Sequence, residues 1–167
     1  ILIRFRKWDF ALGASVALFH DALVVIAAFT LFNGIVPFTL EVNQNFIGAI
    51  LTVIGYSIND TVVVFDRLRE NLVKYKTMPL RDVMNLSVNE TLSRTIMTSL
   101  TTMLTVFALL FFGGEILRGF STALTIGIVV GTYSSIYIAS SIALDLKLTA
   151  RDLMPVQKDK DTVDDMP

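Results

Sequence analysis

Residues 46–65 read FIGAILTVIGYSINDTVVVF, an apolar stretch whose single charged residue is Asp60. As a helix, about 20 residues rise about 30 Å, which matches the thickness of the hydrocarbon core of a membrane. Three other apolar stretches of at least this length lie at about 10–32, 92–112 and 119–146. The sequence therefore predicts an all-α polytopic membrane protein, a helical bundle with four full transmembrane helices.

The composition supports this class. Hydrophobic residues make up 53% of the chain and charged residues 17%, against about 25% charged residues in a typical soluble domain. The net charge of −1 gives no indication of a nucleic-acid partner. The absence of cysteine excludes disulfides, thiolate metal sites and a cysteine nucleophile. With one histidine and no nucleophile–base pair or phosphate-binding loop, the sequence predicts neither an enzyme nor a metal or cofactor site.

The two ends of the chain differ from its apolar middle. Ile1–Ile3 are apolar and are followed at once by the basic segment 4–7, an order that we interpret as the end of a further span. Residues 1–148 form the predicted membrane domain. The tail, 149–167, is rich in Lys and Asp and lacks aromatic residues, a composition typical of disordered segments. The bundle is therefore expected to consist of four full helices, the end of a fifth, and a disordered tail.

Basic residues predict the orientation in the membrane. Of 14 Lys and Arg residues, 13 lie near the chain start, in the segment between the second and third spans, or in the tail, and only Arg118 lies on the other side. Loops rich in Lys and Arg stay in the cytoplasm. The chain start, the middle loop and the C-terminus are therefore expected in the cytoplasm, with the short loops 33–45 and 113–118 facing outward.

The middle loop contains its own helical pattern over about 77–91. Thr77 is a candidate N-cap with Pro79 in the first turn, and apolar residues follow at spacings of three and four from Leu80 to Leu92. We interpret this segment as an amphipathic helix lying on the membrane or on neighbouring spans. A docking surface for another protein is the alternative.

The fourth span carries a small residue at every fourth position, which allows a neighbouring helix to approach closely. The second span has a shorter stripe of the same kind, Gly48, Thr52, Gly55 and Asn59. Both are interpreted as packing features of a tight bundle. The stripe of the fourth span consists of Gly119, Ala123, Gly127, Gly131, Ser135, Ala139 and Ala143.

Asp60 needs an explanation beyond packing. It lies six residues before Asp66, which places it about 9 Å inside the membrane boundary. A lipid-facing carboxylate there would cost roughly 2.5 kcal/mol or more, so Asp60 must face protein or water. Arg94, at the start of the antiparallel third span, is the candidate partner, and Thr98 continues the same face one turn deeper. A proton relay and a fixed ion pair that pins two helices are both compatible with this pattern.

His20 and Asp21 form a second polar pair near the middle of the first span. One interpretation is an interhelical hydrogen-bonding pair, and the other is part of a proton path.

Residues 55–71, GYSINDTVVVFDRLREN, closely resemble the signature of the SecF family, a group of bacterial protein-export subunits in the resistance–nodulation–division superfamily. Other stretches match in order and spacing, so that the resemblance covers about 1–148. They are RFRKW (4–8) with His20-Asp21, LSRT (92–95) with Thr98-Ser99, and FGG (112–114) through GFS (119–121) to GTYSSIY (131–137).

The resemblance implies half of a resistance–nodulation–division transmembrane domain in the bacterial cytoplasmic (inner) membrane. It implies a subunit that works with SecD, separate or fused, beside the SecYEG channel, and indirectly with SecA, YajC and YidC, on translocating preproteins. With SecD it would use the proton-motive force, the proton being the coupling ion. By resemblance, Asp60 carries the proton, Arg94 and Thr98 assist, and SecD supplies a further Asp.

Two other functions fit parts of the pattern. The spans alone are compatible with a proton-driven small-molecule efflux transporter of the same superfamily, but residues 55–71 argue against it. A scaffold that only binds SecD and the channel would use Asp60 and Arg94 as a static pair. The roles of Asn59, His20 and Asp21, as relay or packing residues, stay open between these alternatives.

Overall fold

The structure is a computed structural model that describes residues 8–36 and 40–145. These residues form four helices, α1 (Trp8–Phe32), α2 (Gln44–Lys74), α3 (Leu80–Phe112) and α4 (Gly114–Asp145). All four are long and apolar enough to cross a membrane. The predicted all-helical class with four spans is confirmed. The expected fifth-span end at Ile1–Ile3 and the tail 149–167 lie outside the described residues.

Local sequence signals set several of the helix ends. The side chain of Asn43 accepts a hydrogen bond of 3.1 Å from the amide of Phe46, which caps the start of α2. Gly34, after α1, has φ +85°, and Gly114, between α3 and α4, has φ +75°. This left-handed conformation is readily accessible to glycine because it has no Cβ. The chain therefore reverses direction sharply after Phe112.

The helix α2 continues beyond its apolar span, past Asp66, to Lys74. Three other predictions are wrong. The segment 77–91 is no separate helix, because its residues from Leu80 onward are the first turns of α3. Pro79, and not Thr77, occupies the N-cap position. The outward loop 113–118 shrinks to Gly113 because α4 starts at Gly114. Hydropathy marks where a helix leaves the apolar region, whereas its backbone hydrogen bonds continue until a capping or turn residue ends them.

The segment 80–91 is helical and amphipathic, and its apolar face packs inside the protein. Val83 and Met84 are buried in a core cluster with Leu68 and Leu72 of α2. The extensions of α2 and α3 therefore form an antiparallel hairpin beyond the apolar spans. We call the end of the bundle that carries this hairpin the basic end.

Two apolar clusters fill the interior of the bundle. One lies toward the basic end and combines residues of all four helices, from Ala14 and Ala17 to Ala139 and Ala143. The other lies toward the opposite end and includes Val25, Phe29, Val53 and Ile128. Between the two clusters, α1, α2 and α4 contribute buried polar residues instead of apolar ones. These residues are Asp21, Ser57, Asp60, Thr61 and Ser135, and we call them the polar layer.

The small residues of α4 allow this close arrangement. A Cβ on Gly127 would overlap Val53 of α2, and one on Gly131 would lie 3.4 Å from Cβ of Ser57. On α1, a Cβ at Gly13 would lie 3.4 Å from the carbonyl oxygen of Ala139. The stripe on α4 is therefore the surface against which α1 and α2 pack, as small-residue stripes in membrane bundles commonly are.

We expect Gly127→Ala to destabilise the bundle by about 1–3 kcal/mol, because the added methyl group must displace Val53. The measurement is thermal unfolding of the full-length protein in detergent. Gly55→Ala is the matched control, since a Cβ at Gly55 meets open space. Equal melting temperatures for Gly127→Ala and the unaltered protein would contradict the packing.

Candidate functional site

The polar layer is held together by hydrogen bonds across three helices. Ser57 of α2 donates to Oδ2 of Asp21 in α1 at 2.7 Å. Thr61, one turn along α2, donates to Oγ of Ser135 in α4 at 3.0 Å. Ser135 in turn donates to the carbonyl oxygen of Ser57 at 3.1 Å. Buried polar groups need such partners because leaving them unsatisfied costs free energy.

Asp60 lies in the same layer but is not satisfied in this way. Only 4% of its surface is exposed, and its Oδ2 has no hydrogen-bond partner among the described residues. Arg94 of α3 is close enough to interact with it electrostatically. Within the described residues, the two side chains form no ion pair. The geometry therefore shows a buried carboxyl group beside a cation that it does not contact.

The other members of the predicted Asp60 site face outward in this chain. Arg94, Asn59 and Thr98 are exposed. Thr98 donates its hydroxyl to the carbonyl oxygen of Thr95 at 2.9 Å. Three further threonines of α3 also donate their hydroxyls to backbone carbonyl oxygens of α3, namely Thr101, Thr102 and Thr105. These bonds satisfy the hydroxyls without linking one hydroxyl to another.

His20 and Asp21 lie at different depths from the surface of the bundle. Nδ1 of His20 is 3.3 Å from Oδ1 of Asp21, and the His20 side chain is 39% exposed whereas that of Asp21 is fully buried. Asp21 therefore lies between a histidine at the surface and the Ser57 hydroxyl in the interior. The pair connects the polar layer to the outer face of α1.

Most of the hydroxyl groups of the site were not predicted. Ser135 was predicted only as a small residue in a packing stripe, and no role was predicted for Ser57 or Thr61. A second set of hydrogen bonds was not predicted either, in which Tyr56 donates to Ser99 at 3.1 Å and Ser99 lies 2.7 Å from Oγ1 of Thr132. The available signal was that hydroxyl residues occur at Tyr56, Ser57 and Thr61, all within one turn or so of Asp60.

A polar cleft opens between α2 and α3 at the basic end. Its volume is about 290 Å³, and along the two helices its lining extends deepest to Val62 and Arg94. Asp60 lies two residues beyond Val62, about 3 Å deeper along α2. The cleft therefore gives solvent a route toward the polar layer that stops less than one helical turn short of it. The rest of its lining consists of Val63, Asp66, Arg67, Glu70, Glu90 and Thr91.

Polar contacts also fix the hairpin around the mouth of the cleft. Arg67 donates through Nε to Glu90 and through a terminal nitrogen to Glu70, each at 2.7 Å. Asn71, which is 2% exposed, donates to Glu90 at 2.7 Å and to Ser87 at 3.0 Å. Most of these bonds join α2 to α3, so they set the separation of the two helices beside the cleft.

We expect Asn71→Asp to loosen this hairpin by about 1–3 kcal/mol, because it replaces a buried donor with a carboxyl group beside Glu90. Hydrogen exchange of segments 66–74 and 80–91 is the measurement, and exchange should become faster in both. Asn85→Asp is the control, since Asn85 is exposed on α3. Unchanged protection in Asn71→Asp would show that these bonds do not hold the helices together.

No metal site emerges from this geometry. Across residues 8–36 and 40–145, no group of three or more His, Asp or Glu side chains is arranged to hold a metal ion. The described site offers carboxyl groups, which can bind and release a proton, and hydroxyl groups, which can donate and accept hydrogen bonds.

Comparison with known proteins identifies a family. Residues 1–149 match the family model described as the C-terminal part of the protein export membrane proteins SecD and SecF. The chain is 59% identical over 150 residues to a protein translocase subunit SecF of Rhodothermus marinus, covering 90% of this chain and 48% of that protein. It is 63% identical over 146 residues to the SecF of Cereibacter sphaeroides, covering 87% and 43%. The chain thus spans about half the length of these curated relatives.

Solved structures show the same architecture. A crystal structure of SecDF in a super-membrane-facing form superposes with a TM-score of 0.80 at 45% identity, covering 87% of this chain and 19% of that one. A crystal structure of SecDF from Thermus thermophilus, described as a translocon-associated membrane protein, gives a TM-score of 0.79 at 45% identity, covering 87% and 20%.

Proposed function

The chain belongs to the SecD/SecF family of protein-export membrane proteins, and from this we propose that it is the proton-coupled membrane part of a SecF-type subunit. With SecD, the subunit would use the proton-motive force to promote preprotein translocation across the bacterial cytoplasmic membrane. The proton is the coupling ion. SecYEG, SecA, YajC and YidC stay predicted partners, on the family resemblance alone.

The observation that carries this proposal is the unpaired state of Asp60. Its carboxyl group is buried within an apolar span, and its Oδ2 has no hydrogen-bond partner among the described residues. A charge in that position is costly, so binding a proton and approaching Arg94 are two alternative ways to reduce the cost. Protonation removes the attraction for Arg94, and release of the proton restores it. The proton therefore changes the force between α2 and α3.

The energy available is sufficient for such a switch. One proton that moves through a potential of 100 mV supplies about 2.3 kcal/mol. A bias of this size changes a two-state equilibrium by roughly fifty-fold, since each 1.4 kcal/mol corresponds to a factor of about ten. The cleft whose lining reaches Val62 and Arg94 is the proposed connection between Asp60 and the cytoplasm. The cytoplasmic assignment of the basic end follows from its Lys and Arg residues.

We expect Asp60→Asn to abolish proton-dependent export while leaving association with SecD intact, because asparagine keeps the size of the side chain and cannot carry a proton. The measurement is preprotein import into inverted membrane vesicles, with and without a proton gradient. Asp82→Asn is the control, since Asp82 lies exposed in the first turn of α3.

Gradient-stimulated import at the normal rate in Asp60→Asn would contradict the relay and favour the scaffold alternative. The efflux alternative has less support, because the family match covers residues 1–149 and the relatives are translocase subunits by name.

An exposed face of α2 and α3 is the proposed contact surface for SecD. Arg94, Thr98 and Asn59 are exposed there, and polar side chains in a span face protein or water rather than lipid. On α2, a Cβ at Gly48 or Gly55 would meet nothing within 4 Å. This open small-residue surface allows close approach of another helix. Through this contact, SecD would supply groups that face Arg94 and Thr98.

We expect Gly55→Leu to reduce co-purification of SecD strongly, because the leucine side chain would fill the space that a SecD helix occupies. Affinity purification of the full-length protein co-expressed with SecD is the measurement. Ala27→Leu is the control, an enlargement at an exposed position on α1. Full recovery of SecD with Gly55→Leu would place the contact elsewhere.

A further inference from the structure

The hydroxyl groups of the polar layer form an unbroken series from α2 to the outer face of α1. Thr61 Oγ1 is 3.0 Å from Ser135 Oγ, and Ser135 Oγ is 3.3 Å from Ser57 Oγ. Ser57 Oγ is 2.7 Å from Asp21 Oδ2. On its other side, Asp21 Oδ1 is 3.3 Å from His20 Nδ1. The bonds from Thr61 to Ser135 and from Ser57 to Asp21 have ordinary hydrogen-bond lengths, and the two contacts of 3.3 Å between them and at His20 are slightly longer.

We propose that Thr61, Ser135 and Ser57 conduct protons between the Asp60 segment of α2 and Asp21, which serves as a second proton-binding carboxyl group in this chain. This inference rests on the proposed function and extends the route of the proton beyond Asp60. It gives His20, at the surface of the bundle, the role of exchanging the proton with Asp21.

The chemistry needs no group other than those present. A hydroxyl has one donor hydrogen and two acceptor lone pairs, so it can accept a proton on one side while it gives up its own on the other. In the structure, Thr61 donates toward Ser135 and Ser57 donates toward Asp21, whereas Ser135 donates to the carbonyl oxygen of Ser57. Rotation of the Ser135 hydroxyl toward Oγ of Ser57, 3.3 Å away, completes the series. A proton that enters at Thr61 then displaces one proton at each oxygen, and the last one binds Asp21. Rotation of the hydroxyls then restores the starting arrangement.

Asp60 adjoins this series, and rotation of its side chain is the step that would join Oδ2 to it. It is the chain neighbour of Thr61, and it lies on α2 one turn from Ser57, so all three side chains project from the buried side of the helix. Its Oδ2 is shielded from solvent and has no partner among the described residues. This oxygen is free to receive or give a proton, whereas Oδ2 of Asp21 already accepts a bond from Ser57.

Helix packing alone does not account for the series. Other buried serines of α4, Ser121 and Ser140, have hydroxyls without a hydrogen-bond partner among residues 8–36 and 40–145. Thr122 and Thr125 on the same helix bond back to carbonyl oxygens of that helix. The hydroxyls of the polar layer instead form hydrogen bonds between helices and with one another, and the series ends at the carboxyl group of Asp21.

The test compares two substitutions of Thr61 in the full-length protein, reconstituted with SecD in liposomes. Thr61→Val removes the hydroxyl and keeps the shape of the side chain, whereas Thr61→Ser keeps the hydroxyl and removes a methyl group. Proton uptake driven by an imposed membrane potential is measured with a trapped pH-sensitive dye. We expect Thr61→Val to slow uptake by about tenfold or more, and Thr61→Ser to stay close to the unaltered protein.

Ser135→Ala and Ser140→Ala extend the comparison on α4. Both remove the hydroxyl of a buried serine, but only Ser135 lies in the series, so only Ser135→Ala should slow proton uptake. The melting temperature and the recovery of SecD are measured on every variant. Slow uptake in Thr61→Val and Ser135→Ala, with normal stability and assembly, supports the path.

Other outcomes would overturn the path through the hydroxyls, and they distinguish its failure from a failure of the proposed function. If Asp60→Asn stops proton uptake while Thr61→Val and Ser135→Ala do not slow it, the proton does not use the hydroxyls, and the role of Asp60 stands. If Thr61→Ser is as slow as Thr61→Val, or if slow uptake follows a loss of stability, the series serves only packing. If Asp60→Asn leaves uptake normal, the proposed function fails together with the path.

Discussion

Two carboxyl groups, Asp21 and Asp60, lie in the interior of a four-helix membrane bundle between two apolar clusters. A charged or polar group in that environment must be satisfied, because neither lipid nor an apolar core can replace the water that it has lost. Asp21 meets this requirement through Ser57 of α2 and the adjoining His20. The arrangement of α1, α2 and α4 follows from bringing these partners together.

The small residues of α4 make that arrangement geometrically feasible. At Gly131, a Cβ would lie 3.6 Å from Oδ2 of Asp21 and 3.4 Å from Cβ of Ser57, so a larger side chain would compete for the space of the hydrogen bond between them. Ser135, one turn further on, contributes the hydroxyl that joins Ser57 to Thr61. The same stripe thus provides close helix contact and the polar layer, and its residues have packing and chemical roles at once.

The predictable part of the molecule is the part that depends on local sequence. Apolar length gave the four spans, because the length of a helix follows from its rise per residue. The cost of a lipid-facing carboxylate gave the burial of Asp60. The helix ends at Lys74 and Leu80 were missed, since hydropathy does not report where backbone hydrogen bonding stops. The pairing of Ser57 with Ser135 was also missed, because it depends on the register between α2 and α4, which are separated by 78 positions at this contact. The exposure of Thr98 depends on which groups cover α3, and no local pattern contains that information.

The third helix, α3, is held differently along its length. Its buried residues lie mainly in the turns near the basic end, where hydrogen bonds join it to α2, and Val106 is the one buried residue of α3 after Thr95. Within the apolar region, Ser99 of α3 forms hydrogen bonds with Tyr56 and Thr132. The position of these exposed turns in the membrane therefore depends more on groups outside this chain than the position of α4 does. Arg94 adjoins Thr95, so it lies where the buried turns of α3 meet the exposed ones. A change in the charge of Asp60 consequently acts on α3 at this junction.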